Sequence, residues 1–259
     1  MRMMKKVLGT VTVLALSVSL LAGCGSTAVS PVSSTASTAA ESTTSSVVSE
    51  TTSAAADENA AAAAQLLNDL TGSYQELWPV ILADEYQQTW LDDCTALVGE
   101  ENAEAAFEKL SSMVTGDVYG EDAVEAYANG GGAYFCGFTN DLATLTFDGE
   151  TSTISGTDKD GNVLFSHTYH YIVMEPVHEL YEFESDDADS GEFTYFFLAP
   201  DTSAETYHIE FRYGSDAEAL SQYDAGEYAY WVASGISTDC DQTMIDNCIE
   251  LFCTENLAG

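Results

Sequence analysis

The run Thr206-Tyr207-His208-Ile209-Glu210-Phe211-Arg212-Tyr213 sets an imidazole and a carboxylate two residues apart among apolar neighbours. On a strand, His208 and Glu210 share one face. Such a pair can grip one divalent cation, and zinc accepts both donor types. Zinc usually takes three or more protein ligands, so two donors leave the set short. Gly214-Ser215-Asp216 then ends the strand and can cap a following helix. The remaining histidines are His167, His170 and His178. His167 and His170 lie three apart on a strand-like segment, so they face opposite sides and at most one joins an inward site. His170 is the additional ligand candidate, and surface or turn positions account equally for all three.

Other chemistry finds less footing. Asp186-Asp187-Ala188-Asp189-Ser190-Gly191-Glu192 is acidic enough for calcium but lacks the EF-hand spacing, and Asp158 to Asn162 fails the same test. Both read as solvated turns. No nucleophile elbow, zincin helix or phosphate loop occurs, so the sequence offers no enzyme.

The elements that must position the strand follow from periodicity. Leu67, Leu70, Tyr74, Trp78 and Ile81 recur at three or four, an apolar helical stripe cut into pieces by Gly72 and Pro79. Further helices are expected over 85–97 and 101–113. The period then becomes two. Strands are expected over 142–147 and 151–155, around an Asp148-Gly149 turn, and over 162–174, 180–184, 193–198 and 206–213. A short helix follows over 217–223. A last helix is expected after Thr238 as its cap, with Met244, Ile245, Cys248, Ile249 and Phe252 as its buried stripe. Helices flanking a meander of antiparallel strands imply an α+β protein, mainly β, closed into a barrel.

The front of the chain is different. Arg2, Lys5 and Lys6 precede an apolar run from Val7 to Leu21, the layout of an export signal and too short to span a membrane. Leu21-Ala22-Gly23-Cys24 resembles a bacterial lipobox, which implies cleavage before Cys24, residues 1–23 as the leader, and lipid on Cys24. Residues 24–56 are rich in Ser, Thr and Ala without an apolar period. They read as a disordered tether, about 30 residues reaching on the order of 30 Å. Residues 57–259 suffice for one domain with a sizeable core. These features place the protein outside the cytoplasm, held to the cell membrane by its lipid anchor alone.

Formal net charge is −37, and beyond the leader only Lys109, Lys159 and Arg212 are basic. So negative a chain argues against nucleic acid and anionic lipid as partners, and it draws cations to its surface. Solubility alone explains the charge as well. The five cysteines after Cys24 permit disulfides in an exported chain, with an odd thiol left over, and no pairing can be read from their spacing. Cys240, Cys248 and Cys253 are expected on one helix.

Several segments resemble the ZinT-type (YodA-like) metal-binding domain. They are Leu67 to Pro79, Tyr181-Glu182-Phe183-Glu184, Ala199-Pro200 through Asp216, and Tyr223 to Trp231. The resemblance implies a lipocalin-like (calycin) antiparallel β-barrel that binds zinc or cadmium, chiefly through three histidines. In that register His208 keeps one ligand, Glu210 replaces a second, and Phe196 stands where a third would be. A phenyl ring cannot ligate, so the ligand set is reduced. The implied function is zinc binding in metal uptake or homeostasis, with a metal transporter as partner. The alternatives are a barrel that has lost its metal and holds a small apolar or peptide ligand, and a surface role carried by tether and charge.

Overall fold

The computed structural model describes residues 58–199 and 208–258. The leader, Cys24 and the Ser/Thr tether lie outside the described residues, as do 200–207. The chain is helical over 58–69 (α1) and then enters β1 (Gly72–Glu76). Next come α2 (Leu77–Ile81), α3 (Gln87–Val98), α4 (Ala103–Ser112) and α5 (Glu121–Ala128). The strands follow: β2 (Thr144–Asp148), β3 (Thr153–Thr157), β4 (Val163–Met174), β5 (Tyr181–Ser185), β6 (Tyr195–Leu198) and β7 (His208–Gly214). Helix α6 (Ala217–Leu220), β8 (Ala233–Ser237) and α7 (Gln242–Leu257) complete the described chain.

All eight strands pair antiparallel in sequence order, and β1 pairs β8 to close the barrel. This is the lipocalin-like α+β architecture the sequence implies. Two of the eight strands depart from the sequence expectation. β1 replaces a helical piece, because Gly72 sits at φ +146°, a backbone most residues avoid, and ends the α1 run. β8 carries Ala, Ser and Gly where an apolar alternation would have marked a strand. Its Gly235 faces Ile209 and the Gln75 carbonyl so closely that a Cβ would stand 3.1 Å from Ile209 Cγ1. Two further expectations give way at the C-terminal end. Asp241, not Thr238, caps α7, accepting from the Met244 amide at 3.0 Å. Cys240 therefore lies ahead of the helix that carries Cys248 and Cys253.

The barrel interior is filled. Ile209, Phe211 and Tyr213 alternate inward from β7 and are at most 2% exposed. Phe196 from β6 pairs in register with Tyr213, and their rings lie 5.4 Å apart. Phe165 stacks on Phe193 at 3.9 Å, and Tyr213 meets Trp231 at 4.9 Å. These rings take the volume that a lipocalin leaves for a ligand.

A second core lies outside the barrel wall, where α2, α3, α4 and α7 pack together against β8. Trp90 is its centre. It is fully buried, donates from Nε1 to the Ile81 carbonyl at 2.7 Å, and contacts Phe107 and Phe252. Ile236 of β8 joins this cluster, so the sheet's outer face is also covered here.

Arg212 ties the segment after β7 to the wall. Its guanidinium is fully buried and donates to the carbonyls of Leu220, Gln222 and Tyr228. It also lies 4.1 Å over the Tyr223 ring. Carbonyl oxygens and a π face, rather than a carboxylate, thus solvate the one basic residue in the core.

Candidate functional site

His208 and Glu210 do share a face, as their spacing requires, but it is the outer face. Alternation leaves no choice, since Ile209, Phe211 and Tyr213 occupy the interior. Across the ladder His208 pairs with Ile236 and Glu210 with Ser234. An inward site, the placement weighed from the sequence for barrel histidines, is not what this pair lines. Phe196 points into the barrel, on the other side of the sheet from this pair, and no substitution there could complete a set with them.

Outside the wall the pair lines a small cavity roofed by helices. Leu77, Trp78 and Ile81 come from α2, and Cys248, Leu251, Phe252 and Glu255 come from α7. Its volume is about 30 Å³, room for a water molecule or a single ion and far too little for an organic ligand. The helix reaches the cavity by simple periodicity: Cys248, Phe252 and Glu255 follow one another at four and three and so share a stripe. Cys248 and Phe252 belong to the buried stripe expected of this helix, and nothing in the sequence sets Glu255 apart from the other exposed acids.

Electrostatics in the cavity centre on Glu210. The Cys248 thiol is pushed up to about 12, first by burial and then by the Glu210 carboxylate. Cys136, behind Trp78, is pushed up to about 12 by the same two causes in the same order. Both thiols are therefore protonated at neutral pH. Burial likewise raises the Tyr223 phenol, while Arg212 works against the rise. Trp78 adds an unusual feature: its buried Nε1 finds no regular acceptor among the described residues, only the weakly accepting Cys136 sulfur beside it.

The donors present are an imidazole, two carboxylates and a thiol. Among the described residues no three His, Cys, Asp or Glu side chains are grouped so as to hold a metal ion. The set thus does not fit a closed structural zinc site.

The other candidates lie elsewhere. His170 is half exposed on β4, with its Nδ1 2.7 Å from Asp186 Oδ1, and β5 and β6 separate it from β7. The structure therefore does not bring His170 to the cavity. His167 Nδ1 lies 2.8 Å from Asp187 Oδ2, and the His178 ring packs 3.7 Å from Tyr223 beside Glu175. The acidic 186–192 run thus spends two carboxylates on histidines. Asp158 folds its own turn, accepting from the Asp160 and Asn162 amides at 2.8 Å.

Beyond Trp78 lies an open groove of about 310 Å³ bordered by Glu76, Leu82, Val114 and Cys136. Glu76 is committed there, since its Oε1 accepts from the Phe138 amide at 2.6 Å.

No family model matches the sequence, and no curated protein does. Among solved structures, the chain is similar to the Zn(II)-bound ZinT-like domain of Streptococcus pneumoniae AdcA. Identity is 15% over 71% of this chain and 89% of that one, with a TM-score of 0.45. A second likeness is to Zn(II)-bound AdcA of the same organism, at 14% identity and a TM-score of 0.42. It covers 72% of this chain and 35% of that one, so the chain spans about a third of that protein's length. Neither likeness is close enough to transfer a ligand or a role.

Proposed function

We propose that the protein binds a divalent cation, zinc by preference, as exchangeable cargo in the cavity between β7 and α7. The observation that carries this reading is that His208 and Glu210 line one ion-sized cavity with Glu255 and Cys248. Imidazole and carboxylate suit zinc. Two strand donors, with Glu255 brought round from the helix and water filling the remainder, make an open site, which suits uptake and release. Cys248 enters only by losing a proton, so affinity rises with pH. The strongly acidic surface raises the local cation concentration around the site.

The export signal and the lipobox at Cys24 supply the setting: an extracytoplasmic protein held to the membrane by lipid and passing metal to a transporter. The test is competition for zinc against a chromophoric chelator. Wild type should withdraw zinc stoichiometrically at pH 8 and less well at pH 6, and Glu210→Gln should withdraw much less. Equal withdrawal by both proteins would remove Glu210 from the site.

A further inference from the structure

Cys94 sits on α3 and Cys253 on α7, and their sulfur atoms are 3.9 Å apart. Both residues are fully buried. Among the described residues they are the one cysteine pair in sulfur–sulfur contact. Cys136 instead turns its thiol to the Tyr134 carbonyl at 3.8 Å, and Cys248 faces the cavity. A disulfide has an S–S distance of about 2.05 Å, so the two sulfur atoms need to close by roughly 1.9 Å, within reach of side-chain rotation.

We propose that Cys94 and Cys253 form a disulfide linking α3 to α7 when the chain folds in an oxidising compartment. Two S–H bonds break and one S–S bond forms. The two electrons and two protons pass to a disulfide oxidant, which leaves as two thiols. The bond forms while the chain is still folding. Once packed, neither sulfur meets solvent, and burial raises both thiols, so thiolate attack is suppressed from inside and outside alike. The same burial shields the finished bond from reductants. The residues joined are 159 apart, and constraining so long a loop restricts the unfolded chain considerably. The bond also fastens the helix that supplies Cys248, Phe252 and Glu255 to the cavity, yet it rests on none of the metal reading.

The experiment uses the full chain carrying Cys24→Ser, unfolded, reduced, and refolded with oxidised glutathione. Remaining thiols are alkylated under denaturing conditions and the chain is digested with a Glu-specific protease. Mass spectrometry should find the Cys94 and Cys253 peptides joined and 2 mass units lighter than the sum of the thiols, with Cys136, Cys240 and Cys248 alkylated. Reductant added under denaturing conditions should lower the melting temperature of the refolded protein by several degrees. Cys136→Ser should leave the linked peptide in place, which separates a specific bond from general misfolding. Alkylation of both Cys94 and Cys253, or their linkage to other cysteines, would overturn the proposal.

Discussion

Replacing Arg212 tests how the segment after β7 is held. Arg212→Ala removes a guanidinium that serves three carbonyls and one aromatic face. Each stranded carbonyl costs about 1 kcal/mol once water enters the vacated space. Loss of a desolvated cation–π contact adds about 2 kcal/mol. Relief from burying the cation offsets part of this, and a net loss of about 3–5 kcal/mol is expected, as when a buried charge network is broken. Arg212→Lys keeps the charge and the aliphatic stem but cannot fork between Leu220 and Tyr228, so about 2 kcal/mol is expected. Urea unfolding followed by tryptophan fluorescence reads both, because Trp231 packs against Tyr213 and Tyr228. Hydrogen exchange should quicken first in the segment from Leu220 to Tyr228. A loss below about 1 kcal/mol for Arg212→Ala would refute the pinning role.

Three further outcomes are expected. Trp90→Phe leaves the Ile81 carbonyl unpaired in the outer core and should cost about 1–3 kcal/mol by urea denaturation, with α7 loosened as a consequence. Mild acid should stabilise the protein. Burial, then Glu184 and Glu175, raises Glu182, and burial, then Glu250, Asp246 and Asp92, raises Asp93. Groups raised in the folded state hold protons the unfolded chain has released, so their contribution is present at low pH and lost as pH rises through the carboxylate range. The melting temperature should be higher at pH 5 than at pH 7.5, and Glu182→Gln should flatten the difference; a rise in stability from pH 5 to pH 7.5 would contradict it. Finally, a lipophilic dye should find no saturable site inside the wild-type barrel, because Phe196 and its neighbours fill it. Phe196→Ala should lose about 3–5 kcal/mol and open a dye site there.

The sequence shows much of the barrel and less of its closure. Six strands announce themselves by alternation, and Asp148-Gly149 marks a hairpin that the structure contains. Closure needs close approach, which small residues permit and which leaves no periodic trace. Gly235 of β8 is an example, since a Cβ there would stand 3.1 Å from Ile209 Cγ1 and 3.4 Å from the Gln75 carbonyl oxygen of β1. β1 is hidden because Leu67, Leu70 and Tyr74 keep a helical spacing across the glycine that breaks the helix. The pairing of His208 with Glu210 is legible from parity alone. Which side they face is also written in the sequence, in Ile209, Phe211 and Tyr213, whose apolar side chains claim the interior. The helix side of the cavity escapes notice because only tertiary packing brings α7 to the strand pair. Short stretches of sequence say nothing of that meeting.

The proposed metal site is tested most directly by calorimetric titration of zinc into the wild-type chain and into His208→Ala. Stoichiometric binding by the wild type, weakened at least tenfold in the variant, is the expected result, a change of about 1.4 kcal/mol or more. Weak, multi-site binding that the variant leaves unchanged would contradict it, and would mean that the acidic surface alone attracts the cation.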